Sequence, residues 1–186
     1  MKKLIIVMSV IIIATLNACA QTKHEHKSKG ETKVAPVFDK TNADVKMQIN
    51  NLLVVYYKMK DALVADKDAD AMAGAKELRK ALEKVDMNKM TSAEHTYYMD
   101  LQTKLDYDAE HISGAPNIEH IREHFETLSD NMFALVKAFK ANNGNAVYFD
   151  YCPMAKASWI TNAAEIKNPY FGKKMIDCGS VKDSIK

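Results

Sequence analysis

Between Asn42 and Ala65 the apolar residues Val45, Ile49, Leu52, Tyr56, Met59 and Leu63 recur at alternating spacings of three and four. That spacing is one stripe of an amphipathic helix, and Leu53 and Tyr57 widen its buried face. Asp66-Lys67-Asp68 breaks the pattern, with Asp68 placed to cap a second helix over about 69–85. Met72, Ala75, Leu78, Leu82 and Val85 form the inward side of that helix. Thr91-Ser92-Ala93-Glu94 has the spacing of a capping box and opens a third helix reaching Ile112. Tyr98, Leu101, Leu105 and Ile112 share one side of it. Ser113-Gly114-Ala115-Pro116-Asn117 stops the chain and restarts it. The fourth helix has the cleanest stripe, Ile118, Ile121, Phe125, Leu128, Met132, Leu135 and Phe139, and it ends at Asn142-Asn143-Gly144.

Four amphipathic helices with short connections predict an all-α fold, an antiparallel up-down four-helix bundle. After Gly144 the periodicity is lost. Val147 to Tyr151 is aromatic and suits an extended segment, Ser158 to Ile166 a short helical turn, and Asn168 to Gly172 a turn. The expectation is an irregular C-terminal tail packed on the bundle through Trp159, Tyr170 and Phe171.

The N-terminus reads differently. Lys2-Lys3 is a positive start, and Leu4 to Thr15 is an apolar run too short for an ordinary membrane-spanning helix. Leu16-Asn17-Ala18-Cys19 then resembles a bacterial lipobox, in which the peptide is cut before the cysteine and the thiol carries diacylglycerol. Residues 1–18 are therefore expected to be a lipoprotein signal peptide, 19–40 a polar tether, and 41–186 the folded domain. Lipid on Cys19 would hold the protein to the membrane on the periplasmic side of the cell envelope, at the outer membrane.

Charge narrows the partners. Loss of residues 1–18 takes Lys2 and Lys3 with it, leaving 24 of the 26 basic residues against 24 acidic ones. A balanced chain without a basic cluster argues against nucleic acid. Most of the 11 methionines serve as adaptable core filler. His24 and His26 in the tether read as solvated residues.

The tail carries the candidate chemistry. Cys152-Pro153-Met154 and Met175-Ile176-Asp177-Cys178 place two thiols and two thioethers in one short segment. Such soft donors select copper(I), with zinc or silver also open. Pro153, with its fixed φ, stiffens the step from Cys152 to Met154. Export to an oxidising compartment offers the alternative of a Cys152–Cys178 disulfide. With Cys19 lipidated these two are each other's only partners in the chain, and closing the loop would contribute about 3–4 kcal/mol.

His124 lies one turn below Leu128 and two below Met132, on a face the tail could meet, and is a candidate completing ligand. His111 and His120 flank the turn between the third and fourth helices and would face each other, a conceivable metal pair that reads as loop histidines. His95 stands alone. No Cys-x-x-Cys-His motif is present, which excludes c-type haem attachment, and the Glu-x-x-His pairs of di-iron bundles are missing. Neither a Gly-rich phosphate loop nor His-Glu-x-x-His occurs, so no enzyme activity is expected.

Four stretches together resemble one family: Tyr56-Tyr57-x-Met59-Lys60-Asp61-Ala62-Leu63-Val64-Ala65-Asp66; Arg122-Glu123-His124-Phe125 with Leu128-Ser129; Tyr151-Cys152-Pro153-Met154-Ala155; and Glu165-Ile166-x-Asn168-Pro169-Tyr170-Phe171-Gly172 through Met175 to Cys178-Gly179. The family is the domain of unknown function numbered 3347, common in Bacteroidetes lipoproteins, and the likeness runs from about Asn42 to Ile185. Members of this family also occur appended to membrane-fusion subunits of copper and silver efflux pumps. The resemblance thus implies periplasmic handling of copper or a related heavy metal, with efflux-pump components as partners. Tyr-x-Cys-Pro-Met also looks like the opening of the short metal-binding modules of those pumps, which read Cys-Pro-Met-His and later Cys-Gly-Met. Here Ala155 stands in place of the histidine, and Met175 precedes Cys178. The expected ligand set is Cys152, Met154, Met175 and Cys178, completed by His124.

Overall fold

The structure is a computed structural model that describes residues 35–186. The expected signal peptide, Cys19, His24 and His26, and most of the expected tether lie outside the described residues.

Helices form where the apolar stripes predict them: α1 (Ala43–Val64), α2 (Asp68–Leu82), α3 (Ser92–Ser113) and α4 (Ile118–Phe139). Their ends follow from side-chain chemistry. Asn42 accepts from the Asp44 N–H at the start of α1, and Asn117 accepts from the His120 N–H at the start of α4. Thr91 and Glu94 complete the capping box reciprocally, satisfying two otherwise orphaned N–H groups at the start of α3. Thr41 adds its hydroxyl to the same carboxylate. Asp68 does not cap α2 as expected. Lys67 takes the cap position, and Asp68 is the first helical residue, accepting from the Ala69 N–H. A 3₁₀ turn over Met87–Lys89 leads into α3, and Lys140, in the left-handed region at φ 50°, ends α4.

Each helix packs on the next, and α1 also meets α4, so their apolar stripes share one core. Packing starts before α1. Phe38, inside the predicted tether, donates its N–H to the Ala138 carbonyl at 2.7 Å and sets its ring against Phe139 and Tyr97. Among the described residues no helix is long and apolar enough to cross a membrane.

The all-α expectation needs correction, because the C-terminal segment is a three-stranded antiparallel sheet. β1 (Val147–Cys152) lies between β2 (Ala157–Thr161) and β3 (Ser180–Ile185). Phe149 pairs with Ile160 on one side and Asp183 on the other, and the β1–β3 register shifts between Phe149 and Asp150. The predicted helical turn from Ser158 is the strand β2. Every residue of β2 is buried, so the two-residue alternation that marks a half-exposed strand is absent from its sequence.

The sheet is held on the helices by polar contacts as well as apolar ones. Tyr56 of α1 stacks on Phe125 of α4, shares a 2.7 Å hydrogen bond with Ser129, and accepts from the Ile160 N–H at 3.1 Å. Arg122 of α4 donates to the Pro169 carbonyl at 2.8 Å, the Leu63 carbonyl at 3.1 Å and the Asp66 carboxylate at 2.7 Å. Asp66 in turn accepts from the Lys173 N–H. Trp159 and Tyr170 are buried as the predicted anchors, and Phe171 is partly buried.

Asp150, in the central strand, is fully buried with neither carboxylate oxygen hydrogen-bonded. Burial pushes its carboxyl up to about 6, against the opposing pull of the Lys60 ammonium. A carboxyl whose folded pKa is raised favours the native state when protonated, and that contribution disappears as pH rises through about 6. Asp150→Asn therefore gains in melting temperature relative to the wild type as pH is raised from 4 to 7. A difference that stays flat across that window contradicts the assignment. Thr91→Ala, which removes the capping hydroxyl, costs about 1 kcal/mol in urea unfolding. An unchanged midpoint and slope would show the cap to be energetically idle.

Candidate functional site

Cys152 is the last residue of β1, and Cys178 lies two residues before β3. The two strands run antiparallel and close on the pair Tyr151–Ser180, so the chain just beyond that pair brings the cysteines together. Their Sγ atoms stand 3.0 Å apart. Cys152 is fully buried and Cys178 partly exposed.

Asn168 organises the approach. Buried completely, it donates from Nδ2 to the Cys178 carbonyl at 2.6 Å, and its Oδ1 accepts from the Tyr170 and Phe171 N–H groups. Its own N–H donates to the Ile176 carbonyl, which closes the loop over residues 168–178. Gly179 completes the turn at φ 153°, where a Cβ would lie 2.6 Å from the Trp159 indole and 3.2 Å from the Tyr151 carbonyl. Only glycine lets the backbone pass this close to Trp159 in that conformation.

The two thiols are not equivalent. Burial works against ionising Cys152, but the Ala155 N–H, the Cys178 thiol, the Met154 N–H and the Asn168 amide aimed at its sulfur outweigh it. The Cys152 thiol therefore sits below the usual range. Cys178 is pushed up, first by its hydrogen bond to the Cys152 sulfur. Of the two, Cys152 is therefore the sulfur that gives up its proton more readily. The thiolate is the form that binds metal and attacks disulfides.

The thioethers are less enclosed. Met154, in the turn between β1 and β2, is 64% exposed, and Met175 is 37% exposed. Both lie near the cysteines in the chain, and the Cys178 N–H donates to the Met175 carbonyl at 3.3 Å.

His124 belongs to a different place. Its Nδ1 is 3.1 Å from Asp108 on α3, and its ring stacks on that of His111 with centroids 4.4 Å apart. His120, one turn earlier on α4, stands 4.8 Å from His124, centroid to centroid. The ligand atoms of His111, His120 and His124 all lie within 4.8 Å of one another. Among the described residues, no hydrogen bond or ring contact links His124 to the cysteines. The structure therefore gathers Cys152 and Cys178 at one end of the sheet and His111, His120 and His124 on the α3–α4 hairpin.

The sequence signal for the second group lies in the four-residue spacing of His120 and His124, which puts both on one face of α4. The α3–α4 turn adds His111, which pairs with His120 as the flanking positions suggest. Asp108 carries no sequence signal, because its role depends on how the two helices are rotated against each other.

No curated protein and no solved structure matches the chain. A family model described as Protein of unknown function (DUF3347) matches residues 52–144, half of the chain. The matched stretch runs from within α1 to the loop after α4, so it includes the three histidines and stops short of both cysteines. The resemblance read from the tail motifs thus extends beyond the segment that the model matches. On that match, the chain belongs to the DUF3347 family of proteins of unknown function.

Proposed function

We propose that this protein is a lipid-anchored envelope protein that binds copper or a related soft heavy metal as cargo and passes it on without bond-breaking catalysis. The observation that carries this reading is the 3.0 Å approach of the Cys152 and Cys178 sulfurs. Two cysteine sulfurs, one with its thiol pKa lowered, are a soft donor pair suited to copper(I), with zinc and silver as competitors.

Metal–sulfur bonds of about 2.3 Å place two sulfurs on one tetrahedral ion about 3.8 Å apart. The pair must open by roughly 1 Å to admit a metal. Cys152 is fixed at the end of a strand, whereas Cys178 sits in a partly exposed turn and supplies the movement. Met154 and Met175, near the cysteines in sequence and exposed, are the candidate thioether donors. His124, engaged by Asp108 and His111, leaves this ligand set.

The rest of the chain supports the same role. An up-down antiparallel helical bundle is a rigid platform for the sheet, consistent with the short connections and the contact between α1 and α4. The lipobox-like Leu16 to Cys19 supports attachment through lipid. Efflux-pump components are the expected partners, on the strength of the family resemblance.

A second reading has its own observation. The same sulfurs need only about 1 Å of approach to reach disulfide bonding distance, and Cys152 is sealed from solvent. An envelope thiol oxidant would take two electrons and two protons from the pair, and the tail would then be pinned as a structural or adaptor module.

Intact mass with and without reductant, followed by anaerobic copper(I) titration of the reduced protein, separates the two. Metal binding predicts one tight equivalent, weakened about 100-fold or more in Cys152→Ser and in Cys178→Ser. Unchanged affinity in both variants rejects it. A two-hydrogen mass deficit with no copper uptake after reduction establishes the disulfide reading instead. Gly179→Ala forces the Cys178 turn away from Trp159, so it lowers both the melting temperature and copper affinity, the latter about tenfold or more. Wild-type values for both would show that the glycine does not position the sulfur.

A further inference from the structure

The geometry points to a second metal site, independent of the cysteines: His111, His120 and His124 form a three-imidazole site for a borderline divalent ion, zinc(II) or copper(II), with Asp108 orienting His124. His120 and His124 lie one turn apart on α4 with their rings edge to face, and the short connection from Gly114 to Asn117 folds the last turn of α3 back so that His111 meets them. Nitrogen atoms from all three rings lie within 4.8 Å of one another, around a common point. Tetrahedral coordination with metal–nitrogen bonds of about 2.0–2.1 Å needs nitrogens about 3.4 Å apart, so adjustments of roughly 1 Å bring the rings onto one ion.

Asp108 is the independent observation. Its side chain is 5% exposed, and it is hydrogen-bonded by His124 Nδ1 at 3.1 Å and by the Thr127 hydroxyl at 2.8 Å. A carboxylate withdrawn from water is costly unless its partners compensate. Here those partners are a neutral hydroxyl and an imidazole, and a metal ion on the far side of that imidazole would strengthen its Nδ1–H as a donor. The same contact fixes the ring and leaves Nε2 of His124 as the ligand atom. Carboxylate to imidazole to metal is the arrangement by which outer groups orient metal-binding histidines.

The surroundings fit an exchangeable site. The Tyr107 ring packs 4.5 Å from His111 and 5.9 Å from His124, walling one side. All three histidines remain partly exposed, and the exposed Glu123 carboxylate lies 3.6 Å from His120 Nδ1. Three protein ligands with an open fourth position leave room for water or for a donor from a partner. All three ligands are imidazoles, so this site favours divalent ions where the sulfur pair favours copper(I).

The test uses the untagged mature chain carrying Cys152→Ser, Cys178→Ser, His24→Ala and His26→Ala, which removes the sulfur pair and the N-terminal histidines as competing donors. Calorimetric titration with zinc(II) is expected to show one equivalent bound. Adding His120→Ala or His124→Ala weakens binding about 100-fold or more, and Asp108→Asn weakens it about 10- to 100-fold, with each fold checked by circular dichroism in chelator. Copper(II) loaded into the same background shows nitrogen hyperfine coupling in its electron paramagnetic resonance spectrum. No uptake by the background chain, or equal uptake by the folded His120→Ala and His124→Ala proteins, overturns the site. Wild-type affinity in Asp108→Asn overturns the positioning role. None of these results depends on the cysteines, so failure here and failure of copper(I) binding are separately visible.

Discussion

The hydroxyl of Tyr56 is the point on which the structure turns. It joins α1 to α4 through Ser129 and satisfies the Ile160 N–H of the edge strand β2, while its ring stacks on Phe125. An edge strand leaves one row of backbone groups without strand partners, and a buried N–H left unpaired costs about 1–3 kcal/mol. By taking up that N–H, Tyr56 lets β2 lie against the helical core. β1 then follows by pairing, and β3 by pairing with β1. Both cysteines owe their meeting to this sequence of contacts, since one ends β1 and the other leads into β3.

Arg122 serves the other end of the same segment. A guanidinium offers several donors in a fixed plane, and Arg122 spends them on the end of α1, on Asp66 and on the carbonyl of Pro169. That clamp sets where Asn168 stands, and Asn168 holds the loop carrying Cys178. Helices and tail are thus coupled through a few buried polar contacts. The coupling explains how six-residue strands, too small to be stable alone, present two thiols at a defined separation. The result is two donor groups of different softness on one small domain, sulfur at the end of the sheet and imidazole on the α3–α4 hairpin.

Much of this was legible in the chain. The stripes of α1 and α4 and the Thr91–Glu94 box carry their own periodicity and cap chemistry, and those elements lie where the pattern puts them. The extended segment from Val147 is β1, but β2 was hidden because Ala157 to Thr161 is buried on both faces, and because Pro153 and a left-handed Lys156 compress the hairpin between β1 and β2. Convergence of Cys152 and Cys178 could be anticipated from composition, but its cause, antiparallel pairing of β1 with β3, could not. The place of His124 on α4 is legible in the chain, but its neighbours there, Asp108 and His111, are not. Which residues it faces is decided by the rotation of α3, and a stripe of apolar residues fixes such a rotation only to within a residue or so.

X-ray absorption at the copper edge, on the protein loaded with one equivalent of copper(I) under reducing conditions, tests the convergence of the sulfurs most directly. A first shell made of sulfur, unchanged when His111, His120 and His124 are replaced by alanine, is expected. A shell dominated by nitrogen, or one that disappears with those histidines while the cysteines are intact, would contradict it.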